Sequence, residues 1–431
     1  MIKVSGKRQA VIKKRVSSLF AVGFILPLGL LANFALNAQL ARILTIDEFG
    51  VFSFSHSIAT ILALLCCMGT SVSMVRFVAA YRVSEKLGHL KGLLIFSSLA
   101  VFVLGIITSA VVWLIALHSS GHHMGLMATS LMILPMSIDV WRESSMRGLK
   151  LNATAIAPRQ FVLPIYVFII IHFYHVQGLV QAYYVYIGSL AVVVVLSLFS
   201  FLSRVRGIAR IPPIYEKWRW TKASIPMGGG ALLLLGLNRW DVVALGFLSQ
   251  YAEAGMYSAC AKVAILLSVA SRIVNLMIAP LLAEMYHEGQ MPEFRLLLVR
   301  SMLLLTSIGI PLYLGICWFS NDILSIFGRE YVAGKPILVI LAAGQLANLI
   351  SGPCAFALTM SKHERVNFNV SLLSAALSVV MLITLIPRFG AVGAAVSTAV
   401  SIAVLNACQA GYCWKEFFRS NGASAKIVSG R

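Results

Sequence analysis

Apolar runs of about 20 residues, long enough to cross a hydrocarbon core of ~30 Å, recur along the chain. They fall at 17–41, 51–75, 92–117, 124–147, 155–174, 179–202, 224–247, 254–281, 297–319, 335–359, 367–387 and 391–414. The pattern predicts an all-α polytopic membrane protein with about twelve transmembrane helices. Asp139, Arg142 and Arg159 interrupt the fourth and fifth runs, where the pattern is weakest. The polar breaks are short, the longest expected outside being 320–334, so no large soluble domain is expected on either face. The longest inner break, Ser203 to Lys222 with Pro212 and Pro213, falls at mid-chain. It predicts an N-terminal six-helix lobe (1–202), a cytoplasmic linker (203–222), a C-terminal six-helix lobe (223–416) and a cytoplasmic tail (417–431).

Composition agrees with this reading and charge adds an orientation. With 59% hydrophobic and only 12% charged residues, the chain is far from the roughly 25% charged residues of a soluble domain. The net charge of +20 could suggest nucleic acid in a soluble protein, but here it sorts by side. If both termini are cytoplasmic, 28 of the 35 Lys and Arg residues lie in the tails and inner breaks, and four (Arg42, Arg329, Lys335, Arg388) lie outside. That is the positive-inside asymmetry, so both termini are expected inside and no nucleic-acid partner is required. The basic N-terminus could open a signal peptide, but the apolar run after it is too long for a signal core and reads as an uncleaved first span. The seven cysteines sit in or beside apolar runs with no paired loop spacing, which predicts buried apolar residues and neither disulfides nor a metal site.

Sliding the chain by 205 residues aligns Asn33 with Asn238, Leu40 with Leu245, Glu48 with Glu253, Gly50 with Gly255, Phe52 with Tyr257, Ser53 with Ser258 and Tyr81 with Tyr286. The core pattern, Glu-x-Gly-x-aromatic-Ser, falls on the external turn after the first span of each lobe. An acidic residue there meets the positive end of a helix dipole, and the glycine admits a close neighbour. Because span one maps to span seven and span two to span eight, both running the same way, the lobes are expected to be a parallel repeat about a pseudo-twofold axis.

Three cations remain inside the spans: Arg239, Lys262 and Arg272, with Asp241 near the first. A charge at mid-bilayer costs a few kcal/mol, so each should face protein or a water-filled cavity. One reading is a route for an anionic substrate; the other is a structural knot in which Asp241 neutralises Arg239 or Lys262. Helical rise puts Arg239 and Lys262 at similar depth, about 12 to 15 Å below the external end, with Arg272 about 15 Å further in and rotated by about 280° from Lys262. Arg272 could equally snorkel or pair elsewhere. The matching first-half surfaces carry Asn33 and Asn37 on one face, with Asn238 as the repeat-mate of Asn33. These amides suit either sugar hydroxyls or inter-helix bonding. His56 is a candidate coupling group beside the more ordinary packing role. Asp139, Arg142 and Glu143 read as a salt-bridged helix end. The external His118 to His123 tract lacks companion acids or thiols, so a metal is not expected.

The stretches Leu40 to Ser53, Gly69 to Tyr81, Ile326 to Pro336 and Leu385 to Ala395 together resemble the polysaccharide transporter family. These are O-antigen and exopolysaccharide flippases of the multidrug/oligosaccharidyl-lipid/polysaccharide exporter superfamily. The resemblance runs through nearly the whole chain in order. It implies two lobes around a cleft facing alternately inward and outward in the bacterial inner membrane. It further implies a polyprenyl-pyrophosphate-linked oligosaccharide as substrate, cationic cleft residues as its contacts, and membrane lipids and polymerase machinery as partners.

No Walker A run, His-Glu-x-x-His or Gly-x-Ser-x-Gly motif is present, so no cofactor and no enzymatic chemistry is expected. A polymerase or ligase would call for a large external loop. A cation-coupled small-molecule exporter of the same superfamily would call for a buried acid, for which Asp241 and Asp139 are the candidates. Gly228 to Gly230, after Pro226, should bend or thin span seven rather than cradle phosphate.

Overall fold

The computed structural model describes residues 25–119, 123–208, 210–236, 239–361 and 363–419, and all regular structure among them is helical. They form two compact units, Met1–Arg239 and Trp240–Arg431. Among the described residues, nine helical segments are long and apolar enough to cross a membrane. One of the nine, Arg365–Arg419, holds two of the expected spans. The protein is therefore a multi-pass α-helical membrane protein, as its apolar runs require.

In the first unit, α1 spans 25–43, followed by α2 (Ile46–Cys66), α3 (Thr70–Val83), α4 (Leu87–His118), α5 (His123–Gly148), α6 (Asn152–Ala157), α7 (Leu163–Phe173), α8 (Gly178–Val205) and α9 (Lys217–Gly236). The second expected span is not continuous. Met68 (φ 43°) and Gly69 (φ 76°) break it into α2 and α3, and a Cβ on Gly69 would strike the backbone of Ser224 and Gly228 in α9. Gly69 and Gly228 thus let two backbones meet where side chains would hold them apart. This gives Gly228 a role beyond bending its helix: it is the α9 side of the contact. The fifth expected span is α6, a π-helical stretch Pro158–Val162, and α7.

α5 is the central element, packed against α2, α3, α4 and α8. Its C-terminal half, with Trp141, joins a core with Met74, Phe201 and Trp220. The 210–216 stretch is docked on this unit, since Ile214 N donates to Gly88 O at 3.0 Å and Lys91 Nζ to Ile211 O at 2.9 Å. A Cβ on Gly92 would collide with the Ile214 carbonyl.

The second unit contains α10 (Trp240–Leu248), α11 (Tyr251–Ala264), α12 (Ser268–His287), α13 (Met291–Trp318), α14 (Ser320–Ser325), α15 (Lys335–Met360) and α16 (Glu364–Cys413). A 3-10 turn, Ile265–Leu267, separates α11 from α12. α16 is two helices merged across Gly390, whose φ of 54° and ψ of −132° are not helical. α15 is central here, packing on α11, α12, α13 and α16. A second core gathers Phe294, Phe417 and Leu298.

Candidate functional site

The repeated Glu-x-Gly-x-aromatic-Ser motif lies in the first turns of a helix in both units, α2 and α11. In the first, Thr45 caps α2: its Oγ1 accepts from Glu48 N at 3.3 Å while its own N–H donates to Glu48 Oε2 at 3.0 Å. The other oxygen of Glu48 accepts from Leu179 N at 3.4 Å, just after Gly178 (φ 75°) at the start of α8. In the second unit, Ser249 Oγ donates to Glu253 Oε2 at 2.7 Å. The Glu253 carboxylate packs on Gly390, where an added Cβ would collide with it. Each glutamate therefore fastens the second span of its unit to the left-handed glycine that opens the sixth. In the first unit a reciprocal cap, and in both the helix dipole, explain the acid; the backbone turn explains the glycine.

One and two turns further in, the units diverge. In the first, Ser55 Oγ lies 2.8 Å from Tyr183 Oη and donates to Gly125 O at 2.9 Å. The Phe52 ring stacks on Tyr183 and meets Tyr186 edge-on at 5.3 Å, and half-buried His56 meets Tyr186 edge-on at 5.7 Å. His56 is thus part of an aromatic cluster. In the second unit, Tyr257, the repeat-mate of Phe52, donates its hydroxyl to Asp241 Oδ2. Thr398 Oγ1 stands 3.1 Å from that hydroxyl and 3.5 Å from the same carboxylate oxygen, and Val242 N donates to Asp241 Oδ1 at 2.8 Å. All three side chains are buried, Asp241 being 7% exposed. Two hydroxyls and a backbone amide solvate the carboxylate in place of water, the arrangement a buried charge needs.

Arg239 is half-buried, in a turn immediately before α10. Asn238 lies outside the described residues. Lys262 is half-buried in the last turn of α11. Arg272 is exposed on α12, beyond the 3-10 turn, so the rotation expected from a continuous helix does not apply to it.

The asparagine amides of the first span serve backbone carbonyls. Asn33 Nδ2 donates to Gly29 O at 2.9 Å and to Gln160 O at 3.2 Å, and Asn37 Nδ2 donates to Asn33 O at 2.6 Å. Gln160 precedes Pro164 by four residues, and proline has no N–H to offer that carbonyl. Asn33 supplies the missing donor from a neighbouring helix, which is the inter-helix role.

Asp139 and Arg142 form a charge knot. Arg142 is fully buried; it bridges to Asp139 Oδ1 at 2.7 Å and donates to the carbonyls of Ala155 at 3.0 Å and Thr154 at 3.4 Å. It thereby ties α5 to α6. Glu143 pairs separately with Arg147 at 2.5 Å. In the sequence this looked like a helix end; the carbonyl contacts make it a junction between two spans. Residues 120–122 of the histidine tract lie outside the described residues, and His118 Nδ1 is bonded to Leu114 O at 2.9 Å. No cluster of three or more metal-ligating side chains occurs among the described residues.

One polar latch was not legible from the linker sequence. Glu216 accepts from Tyr81 Oη at 2.9 Å and from Arg219 Nη1 at 2.9 Å, with His89 Nε2 at 3.5 Å, and Trp220 Nε1 donates to the Tyr81 hydroxyl at 2.9 Å. Burial works to raise the Glu216 carboxyl, but the bonds from Tyr81 and Arg219 and the positive charge of Arg219 and His89 hold it below the ordinary carboxylate value.

A family model described as polysaccharide biosynthesis protein matches residues 12–286. Among curated proteins, the probable low-salt glycan biosynthesis flippase Agl15 of Haloferax volcanii is 26% identical over 173 residues, 40% of this chain and 37% of the relative. The chain thus aligns with well under half of that protein. In fold it is similar to an inward-facing multidrug resistance MATE family transporter of the MOP superfamily, at a TM-score of 0.73 and 10% identity, over 95% of this chain and 99% of that one. It is also similar to the lipid II flippase MurJ in an inward closed conformation, at a TM-score of 0.68 and 14% identity, over 92% and 87%. The family match spans well over half of the sequence, and the chain belongs to the polysaccharide biosynthesis protein family, on a fold shared with multidrug and lipid flippase transporters.

Proposed function

We propose that this protein flips a lipid-linked oligosaccharide, carried on a polyprenyl pyrophosphate, across the bacterial inner membrane by alternating access, feeding surface polysaccharide synthesis. The lobes are 1–202 and 223–416, joined by the 203–222 linker, with both termini and the 417–431 tail cytoplasmic. The observation that carries the reading is that two basic side chains within apolar spans, Arg239 just before α10 and Lys262 in the last turn of α11, are each half-buried, and ionisable groups at membrane depth mark substrate routes. In this reading Arg239 and Lys262 contact the pyrophosphate or an acidic sugar, Asn238 and Arg272 extend the contact, and the polyprenyl tail stays in lipid. Asn33 and Asn37 are secondary contacts, because their amide hydrogens already serve backbone carbonyls. Polysaccharide polymerase machinery is the expected partner downstream.

The test is complementation in a strain lacking the native gene, with Arg239→Ala and Lys262→Ala. Each should lower surface polymer at least about tenfold at normal protein abundance. Wild-type polymer in both variants would sink the cationic route, and lost abundance would favour a structural knot.

A second reading, cation-coupled export of a small molecule, draws support from one observation. Asp241 is a buried acid within hydrogen-bonding reach of Tyr257 and Thr398, a setting in which proton uptake would rearrange contacts on three helices. An Asp241→Asn variant that abolishes drug efflux yet leaves polymer untouched would favour it.

A further inference from the structure

A cavity of about 440 Å³ lies in the first unit between the ends of α1 and α7, lined among others by Gln39, Arg42, His172, His175 and Gln177. Its floor is apolar, with Ile171 and Val176 both buried. It is distinct from every cluster described above.

The walls are held in place by the fold. With its amide oriented to satisfy both groups, Gln39 donates to Phe168 O at 3.1 Å and accepts from His172 N at 3.2 Å, fastening α1 to the last turns of α7. His175 adopts a φ of 46°, a left-handed conformation unusual outside glycine. Gln177 N donates to Gln181 Oε1 at 3.0 Å, so the turn carrying both residues is anchored to α8. Phe173 and Tyr174, next to the lining histidines, are 72% and 78% exposed, in the manner of aromatic side chains at a membrane interface.

A guanidinium, two imidazoles and two carboxamides around a small cavity form a set of donors suited to a phosphate ester. Placed at the interfacial level, with apolar residues beneath, the set meets a phosphate that is attached to a lipid. We propose that this cavity binds the phosphate group of a lipid at the membrane face opposite the 203–222 linker. Arg42 supplies the charge, and His172, His175 and Gln177 supply hydrogen bonds. The phosphate could belong to a resident phospholipid or to a polyprenyl carrier; the chemistry is shared. The inference concerns binding and does not rest on the transport reading.

The test is lipid titration of the full chain in detergent, read by native mass spectrometry. The probes are phosphatidylglycerol, diacylglycerol with the same acyl chains, and a polyprenyl phosphate. At least one phosphate-bearing lipid should bind about tenfold more tightly than diacylglycerol, and Arg42→Gln should remove most of that preference while Arg42→Lys keeps part of it. If Arg42→Gln fails to fold, the paired variant His172→Gln/His175→Gln carries the same expectation. Preference for phosphatidylglycerol would assign a resident lipid, and preference for the polyprenyl phosphate would assign the carrier. Equal binding of diacylglycerol and both phosphate lipids, or full preference retained in the folded Arg42→Gln and paired histidine variants, would overturn the proposal.

Discussion

The opening helix pairs of the two units share a fastening and differ in what they enclose. Glu48 and Glu253 each tie a second span to a left-handed glycine, Gly178 in one unit and Gly390 in the other. Beyond that point the first unit buries Phe52, Tyr183 and Tyr186 beside half-buried His56, while the second buries a carboxylate beneath Tyr257 and Thr398. A helix start constrains backbone and dipole, so its residues change little between copies. Interior positions need only be filled and satisfied, and the exchange of Phe52 for Tyr257 is enough to solvate an acid. The first unit is not free of buried charge, but its Asp139 and Arg142 are spent on holding α5 to α6. Duplication thus supplied a frame, and charge was placed within it for different ends.

The sharpest break of this contrast comes from Arg142. Arg142→Ala would strand the buried Asp139 carboxylate and unpair two carbonyls, a loss of about 3–5 kcal/mol. The expected outcome is collapse of folded protein by size-exclusion profile and thermal melt, unlike the span-seven variant Arg239→Ala, which should fold. Normal abundance of Arg142→Ala would mean that the first unit's charges are not structural.

The shared fastening predicts an unequal response to the same substitution. Gly390→Ala should cost ~2 kcal/mol, from left-handed strain and a collision with the Glu253 carboxylate. Gly178→Ala should cost ~1 kcal/mol, since the nearest Glu48 oxygen to an added Cβ is 4.0 Å away. Equal shifts in melting temperature would show that the two turns carry their acids alike.

The smallest effect concerns the linker latch, present in the first unit. Because Glu216 is held below its ordinary value when folded, its contribution is present above the unfolded carboxylate range and fades as pH falls through the folded value. Proteolysis within 210–216 should therefore quicken on acidification in the wild type, and Glu216→Gln should cleave at a rate nearly independent of pH across that window. A wild-type rate equally flat would remove the latch from consideration.

Much of this was readable in the chain, and the unreadable part has a common character. The apolar runs predicted the spans, and the motif at Glu48 and Glu253 predicted a duplicated helix start. Both are local: insertion is decided over about 20 consecutive residues, and a cap within one turn. Asn33 read equally as a sugar contact or as inter-helix glue. Its partner, the Gln160 carbonyl left without a donor by Pro164, lies 127 residues away. Tyr257 appeared as a motif aromatic, with nothing to signal that Thr398 and Asp241 would meet it.

What the sequence determined by itself is that this chain enters a membrane as many helices, with a repeated helix start in its two halves. Tertiary structure alone decided where span two breaks, which acid pairs with which base, and which side chains close the cavity around Arg42. The physical reason is that burial in lipid is summed residue by residue, whereas a polar group's partner depends on which backbone happens to pass within about 3 Å of it.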